Sequence, residues 1–161
     1  MKIAGAHFLA VPQERAYALL QDPVVLGKSM PGCDALEQIG EAQYHMKMKM
    51  VMASVSGLFD GTVRIADPNP TTSFRLIVVG TGKIGFMKGD GLLTLVPVEG
   101  GTNVQYEGSI EVGGTIAAVG QRLLDTTSKM IIKRFFDKLT AELATSGGEN
   151  VPGTMSGTIT S

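Results

Sequence analysis

The sequence has 161 residues, of which 43% are hydrophobic and 18% are charged, and this balance predicts one folded domain rather than a disordered chain. The formal net charge of −1 argues against a nucleic-acid partner, because binding to phosphates favours an excess of basic residues. Cys33 is the only cysteine, so no intramolecular disulfide can form, which fits a cytoplasmic location. We find neither a signal peptide nor the run of roughly 20 apolar residues that a spanning helix needs. Any membrane contact is therefore expected to be peripheral, or to involve a segment absent from this chain.

The first part of the chain predicts a strand followed by two short helices. Residues 3–11 alternate as a strand does, and Pro12 to Gln21 form the first helix, because the fixed φ of proline suits a first helical turn. Asp22-Pro23 ends this helix, and a second one covers Val24 to Met30 and stops at Pro31-Gly32.

Beyond Cys33 the pattern predicts six strands and then a long helix. The strands cover residues 34–39, 43–53, 58–66, 73–79, 84–98 and 103–112. After them, apolar residues recur at intervals of three and four residues. This spacing predicts one helix from about Thr115 to Ala144, with Thr115 as its N-cap. A single helix of about 45 Å covers a sheet only if the sheet curls around it. The sequence therefore predicts an α+β helix-grip domain over residues 1–145, with a curved antiparallel sheet wrapped around the long C-terminal helix, and a flexible polar tail over residues 146–161.

The most informative segment for function is Tyr44 to Met52, which reads YHMKMKMVM. Strand side chains point alternately to two faces, so four methionines share one face with Tyr44, and His45, Lys47 and Lys49 share the other. Methionine fills irregular space and adapts to different partners, which predicts the wall of a cavity for an apolar ligand, with a plain core stripe as the alternative. The predicted lining is Met46, Met48, Met50, Phe59, Phe74, Leu76, Phe86, Tyr106, Ile116, Val119, Leu123, Thr127 and Met130, and the predicted entrance is Met30, Pro31 and Gly32.

Residues with catalytic or metal-binding chemistry form no recognisable constellation. The two histidines, His7 and His45, have no partner at a metal-ligand spacing. The segment Gly80 to Gly85 reads G-x-G-x-x-G, but strand and turn residues follow it where a dinucleotide site needs a helix, so it predicts a hairpin. We therefore predict no enzymatic activity, no metal and no covalent cofactor.

The basic side of the long helix has two possible interpretations. It is either a solvated face, partly offset by Asp125 and Asp137, or a patch that contacts anionic lipid headgroups or an acidic protein. The basic residues are Arg122, Lys129, Lys133, Arg134 and Lys138.

Several motifs, in their order, resemble those of a known family. They are Met30-Pro31-Gly32-Cys33, Gly57-Leu58-Phe59-Asp60-Gly61, Gly101-Thr102-Asn103-Val104-Gln105-Tyr106, and Val112-Gly113-Gly114 followed by Gly120-Gln121-Arg122-Leu123-Leu124 and Phe135-Phe136. Over Met1 to Leu143 the chain resembles the G-subunit family of carbon monoxide dehydrogenase, within the START-like helix-grip superfamily. The resemblance implies a non-catalytic accessory protein of the aerobic molybdenum-copper carbon monoxide dehydrogenase, associated peripherally with the inner face of the cell membrane.

An apolar cavity in such a protein leads us to expect a bound quinone, with menaquinone as the first candidate, or a similar isoprenoid lipid. The protein would then link the enzyme to the membrane respiratory chain. The alternative is a protein–protein adaptor, or a maturation or membrane-recruitment factor for a molybdenum hydroxylase, with no ligand of its own. An enzyme of the cyclase type is less favoured, because no acid–base pair is predicted to line the cavity.

Overall fold

A computed structural model of the protein describes residues 1–52 and 55–150. Its elements in chain order are β1 (Lys2–Leu9), α1 (Gln13–Leu19), α2 (Pro23–Ser29), β2 (Cys33–Gly40), β3 (Gln43–Met52), β4 (Val55–Asn69), β5 (Ser73–Gly82), β6 (Gly85–Val98), β7 (Gly101–Gly113), a 3-10 helix (Gly114–Val119) and α3 (Gln121–Asn150).

The strands form one seven-stranded sheet in the order β1-β7-β6-β5-β4-β3-β2. Every neighbouring pair is antiparallel, and β2 through β7 pair in sequence order. Only β1 crosses to the far edge, where it pairs with β7 and Gly5 lies opposite Tyr106. The sheet curves around α3, so the predicted helix-grip fold is confirmed. The predicted hairpin at Gly80 to Gly85 is confirmed as the turn between β5 and β6.

The two short helices pack on different elements: α1 contacts β6 and β7, and α2 contacts β2 and α3. The carboxylate of Asp22 accepts hydrogen bonds from the backbone N–H groups of Val24 and Val25, at 2.9 and 3.4 Å, and so caps α2. In α1, the Tyr17 hydroxyl donates to the Ser73 carbonyl oxygen over 3.0 Å, which ties this helix to β5.

The long helix begins later than predicted. Residues Gly114–Val119 form a 3-10 helix, and Gly120 then adopts a φ of +100°, a left-handed conformation that glycine tolerates and that no α-helix contains. For this reason α3 starts at Gln121 rather than at Thr115. It continues to Asn150, past the predicted end at Ala144. Residues 151–161 of the predicted tail lie outside the described residues, and the domain boundary at 145 stays a prediction.

The interior between the sheet and the helices contains two clusters of buried side chains. The first, which we call the main core, contains Leu9, Ala16, Leu20, Tyr44, Ile65, Phe74, Leu95, Val104, Phe136 and Leu139. The second, which we call the methionine cluster, contains Met48, Met50, Phe59, Ile116 and Leu124. Residues of both clusters, and side chains packed against them, line the cavity described next.

Candidate functional site

The methionine face of β3 forms one wall of a cavity between the sheet and α3. Tyr44, Met46, Met48 and Met50 are buried, whereas Lys47 and Lys49 are exposed on the opposite face. This alternation is the one that the sequence predicted. The three methionines line a cavity with a volume of about 230 Å³.

The long helix covers the cavity with one continuous stripe of side chains. The stripe recurs at intervals of three and four, as one face of an α-helix does. It consists of Leu124, Thr127, Ser128, Ile131, Ile132, Phe135 and Phe136. Of the predicted helix residues, Thr127 belongs to this stripe.

Two other predicted helix residues lie beside the stripe. Leu123 packs against the methionine cluster, and Met130 is 39% exposed. Apolar residues cover more than one face of α3, and the packing of Phe136 and Leu139 in the main core selects which face turns inward.

The floor of the cavity is formed by main chain at the middle of β6. The inward positions of this strand run Met87, Gly89, Gly91, Leu93 and Leu95, so two consecutive inward positions have no side chain. A Cβ atom added at Gly91 would meet only the Glu107 carbonyl oxygen within 4 Å, at 3.7 Å.

Residues that face outward also contribute to this floor. Asp90, Glu107 and Ser109 line the cavity, although the carboxylate of Asp90 pairs with Arg75 on the outer face over 2.7 Å. Their alternation with inward residues indicates that they reach the cavity through their main chain. The cavity therefore extends down to the backbone of the sheet, and we call the segment Gly89–Gly91 the glycine floor.

The predicted lining residues divide into those that the cavity contacts and those that lie elsewhere. The cavity contacts Met46, Met48, Met50, Leu76, Tyr106, Ile116 and Thr127, and at the predicted entrance Met30. Phe59 and Phe74 point inward but are buried within the methionine cluster and the main core, respectively. Val119, like Leu123, packs against the methionine cluster.

Three further predictions differ from the geometry. Phe86 precedes the inward-facing Met87 and therefore points outward, where it is 37% exposed and its ring covers Gly113. Pro31 and Gly32 lie outside the lining. The carbonyl oxygen of Gly32 accepts a hydrogen bond from the Lys49 N–H over 2.9 Å, which ties this turn to the edge of β3.

Apart from the peptide groups of the glycine floor, the polar groups that we assign to the cavity are side-chain hydroxyls. They belong to Tyr106, Thr127 and Ser128. Burial raises the pKa of Tyr106 above its ordinary value, so its hydroxyl keeps its proton at neutral pH and can donate to a carbonyl oxygen of a ligand. A molecule that binds here needs an apolar body and, at most, a few hydrogen-bond acceptors.

His7 lies beside the cavity in a stack of aromatic rings. Its ring centroid is 4.2 Å from that of Phe136 and 6.1 Å from that of Tyr106, and the planes are nearly parallel. Burial lowers the pKa of His7, and the opposing influence of Asp137 is smaller. The lowered pKa favours the neutral form of the imidazole, which packs behind Phe136 and Tyr106, two residues that line the cavity.

The outer face of the sheet carries a pair of side chains with acid–base chemistry. His45 contacts Asp60 across β3 and β4, on the face opposite to the methionines. Within residues 1–52 and 55–150, no group of three His, Cys, Asp or Glu side chains could hold a metal ion. None of the helices in this part of the chain combines the length and the apolar character required to cross a membrane.

Comparison with known proteins identifies related sequences and folds. Residues 5–144 match the family model for CoxG, the G-subunit of carbon monoxide dehydrogenase. A conserved protein from Geobacillus kaustophilus is 35% identical, with 91% of this chain and 97% of that chain covered and a TM-score of 0.86. Comparison with curated protein sequences gives no significant match.

More distant solved structures share the fold alone. A START superfamily protein from Mycobacterium smegmatis is 12% identical, with 89% of this chain and 97% of that chain covered and a TM-score of 0.69. The Zhui aromatase/cyclase from Streptomyces sp. R1128 is 11% identical, with 88% of this chain and 92% of that chain covered and a TM-score of 0.60.

Proposed function

Since the chain belongs to the CoxG family, the G-subunits of carbon monoxide dehydrogenase, we propose that it is a non-catalytic accessory protein of the aerobic molybdenum-copper form of this enzyme. In this role it holds a quinone, with menaquinone as the first candidate, and links the enzyme to the respiratory chain at the inner face of the cell membrane. The observation that carries the proposal is the apolar cavity between the methionine face of β3, the glycine floor and α3.

The size of the cavity fits part of a prenylated quinone. Pockets for drug-sized ligands measure about 300–1,000 Å³, and the 230 Å³ here is slightly below that range. We therefore expect the cavity to hold the ring and the first part of the chain, with the rest of the chain outside it. Burial of about 500 Å² of apolar ligand surface contributes about 12 kcal/mol, and with an association cost of about 4 kcal/mol, the low end of its range, the upper limit is micromolar binding.

The chemistry of the lining supports binding rather than catalysis. Thr127 and Tyr106 offer hydroxyls that suit the carbonyl oxygens of a quinone. The imidazole–carboxylate pair of His45 and Asp60 lies on the outer face of the sheet, away from the cavity. Methionine has an unbranched, flexible side chain, so a wall that contains Met48 and Met50 can adapt to chains of different length.

A surface outside the cavity supports contact with an anionic membrane. Three apolar side chains are exposed on the outer face of the sheet behind the methionine cluster: Leu58 at 65%, Val51 at 58% and Phe86 at 37%. Lys49 is paired with Leu58 in the register of β3 and β4, and Lys47 and Lys83 are also exposed nearby. We call these six residues the apolar–basic patch. Each lysine near an anionic lipid surface contributes about 1 kcal/mol of attraction.

The basic side of α3 is less suited to this contact. Lys129 pairs with Asp125 over 3.1 Å, and Lys133 pairs with Asp137 over 2.7 Å. Two of its five basic side chains are thus compensated within the helix, which favours a solvated face. We therefore assign the membrane contact to the apolar–basic patch.

The alternative function is an adaptor, or a maturation or recruitment factor, that carries no ligand. The exposed Leu58 and Val51 favour this possibility equally well, because they could bury against a protein partner. The two functions are distinguished by whether the cavity holds a ligand.

The decisive experiment is extraction of the protein, purified from a menaquinone-producing host, with organic solvent and analysis of the extract by mass spectrometry. We expect close to one quinone per protein. Met50→Trp fills the cavity and should reduce the yield at least tenfold. Ile39→Trp, which changes an exposed residue of β2 outside the apolar–basic patch, should leave the yield unchanged. If wild-type protein contains no lipid and takes up no added menaquinone, the adaptor function replaces this proposal.

A further inference from the structure

Apolar side chains border the glycine floor along β6, on the β5 side and beside Gly89 on β7. Along β6 the floor is bounded by Met87 and Leu93, which face inward on either side of the glycines. Across the sheet, Leu76 and Val78 are the β5 partners of Gly91 and Gly89. The β7 partner of Gly89 is Ile110. The bordering residues Met87, Leu93, Leu76, Val78 and Ile110 all line the cavity.

The bare backbone continues from the glycine floor onto β7. The β7 partner of Gly91 is Gly108, so the neighbouring strands β6 and β7 meet here without side chains on the inner face. Gly89 and Gly91 are about 7 Å apart along the strand, and Gly91 and Gly108 are about 4.8 Å apart across the pair. The result is a flat patch of peptide groups about as large as a fused pair of six-membered rings.

The main chain itself requires glycine at only one of these three positions. At Gly108 a Cβ atom would collide with the Asp90 carbonyl oxygen and the Gly91 Cα atom. At Gly89 the nearest atom, Ile110 Cγ1, is 3.9 Å away, and at Gly91 the nearest is at 3.7 Å. Neither of these two residues has a positive φ. Steric packing therefore does not explain why Gly89 and Gly91 lack side chains. The explanation we favour is the space that these glycines leave inside the cavity.

We infer that the glycine floor is the seat of a flat ring, and that the ring rather than the prenyl chain determines which molecules the cavity selects. The inference rests on the proposed function and identifies which part of the ligand occupies which part of the site. A rigid ring matches a flat peptide surface over its whole face, and its conformational entropy is unaffected by binding. A flexible chain gains no comparable advantage from the floor, since any apolar wall accommodates it.

The test compares a ring without a chain and a chain without a ring. Binding of menadione, a naphthoquinone without a prenyl chain, and of farnesol, a prenyl chain without a ring, is measured by isothermal titration calorimetry on the full chain. The variants are Gly91→Ala and Gly91→Val, which add increasing volume to the floor. The control is Lys88→Val, which places the same side chain on the outer face of the same strand.

We expect menadione binding to weaken about threefold in Gly91→Ala and at least tenfold in Gly91→Val, with farnesol changed less than threefold. Lys88→Val should bind both as wild type does. Thermal unfolding confirms that each variant is folded. The inference is overturned if folded Gly91→Val binds menadione as tightly as wild type, or loses both ligands equally. If wild type binds neither menadione nor farnesol and contains no lipid after purification, the proposed function itself fails, and the inference fails with it.

Discussion

The two ends of strand β6 show how one sheet builds both a solid core and a cavity. Towards Val98, the inward positions Leu93 and Leu95 pack with the main core, where Phe74, Val104 and Leu139 are fully buried. Towards Gly85, the inward positions Gly91 and Gly89 leave the backbone bare. The alternation and the hydrogen bonding are the same in both halves. The difference lies only in the volume that the side chains supply.

The two ends also differ in how firmly their side chains are held. Leucine, valine and phenylalanine have well-defined rotamers, which suits a permanent core, whereas methionine adapts to irregular space. None of the ten residues that define the main core is a methionine, and the methionine cluster contains Met48 and Met50. We conclude that the main core provides most of the stability and that the methionine cluster can accommodate a ligand.

The largest expected effect tests this division of roles. Leu139→Ala should lower the free energy of unfolding by about 4 kcal/mol, because it opens a cavity in a fully packed region. Met48→Ala should lower it by about 2 kcal/mol, the low end of the range for such changes, because Met48 already borders empty space. Urea denaturation at one temperature measures both. Equal losses would contradict the distinction between the two ends.

The sheet side of the cavity could be predicted from strand alternation. The α3 side could be predicted only in part, because the inward face of the helix depends on its packing. Side chains of a strand alternate between only two faces. The lysines at positions 47 and 49 mark the solvent face, so they were enough to predict that Met48 faces inward. On α3 the apolar residues cover too much of the circumference for spacing to select between Leu123 and Leu124. That selection depends on contacts of Phe136 and Leu139 with distant strands.

Glycines account for two further differences between prediction and structure. The inward positions of β6 read Met87, Gly89, Gly91, Leu93 in the sequence, and this pattern could have revealed the floor once the inward face was known. The late start of α3 depends on the φ of +100° at Gly120. Nothing in the sequence distinguishes such a glycine from one within a helix.

A smaller effect concerns the outer surface behind the methionine cluster. Leu58→Glu should weaken binding to vesicles of mixed zwitterionic and anionic lipids about tenfold, because it adds a negative charge and removes an apolar side chain from the apolar–basic patch. Ile39→Glu is the matched control, since Ile39 is 52% exposed on β2 and lies outside the patch. Sedimentation with vesicles measures both variants. If both variants weaken vesicle binding equally, the apolar–basic patch is not the surface that contacts the membrane.

The ionic part of this interaction has its own test. Vesicle binding of the wild type should weaken as salt is raised, because ions screen exposed charges over about 10 Å at 0.1 M. The Lys49→Gln variant should show a smaller salt dependence. Binding that does not change with salt would mean that the lysines of the patch contribute little, and that apolar contacts alone hold the protein on the vesicle.

The smallest expected effect concerns His7, which stacks on Phe136 where the main core meets the cavity. Burial lowers the pKa of His7 in the folded state below its ordinary value of 6.5, so the unfolded chain binds a proton more readily. Stability therefore rises with pH in this range: the contribution of neutral His7 is complete above about pH 6.5 and is lost as the pH falls through the lower folded-state pKa. His7→Phe keeps an aromatic ring that cannot titrate, so urea denaturation between about pH 5 and pH 8 should show a shallower decline on acidification than in wild type. Parallel pH profiles for the two proteins would show that His7 does not couple protonation to the packing between the main core and the cavity.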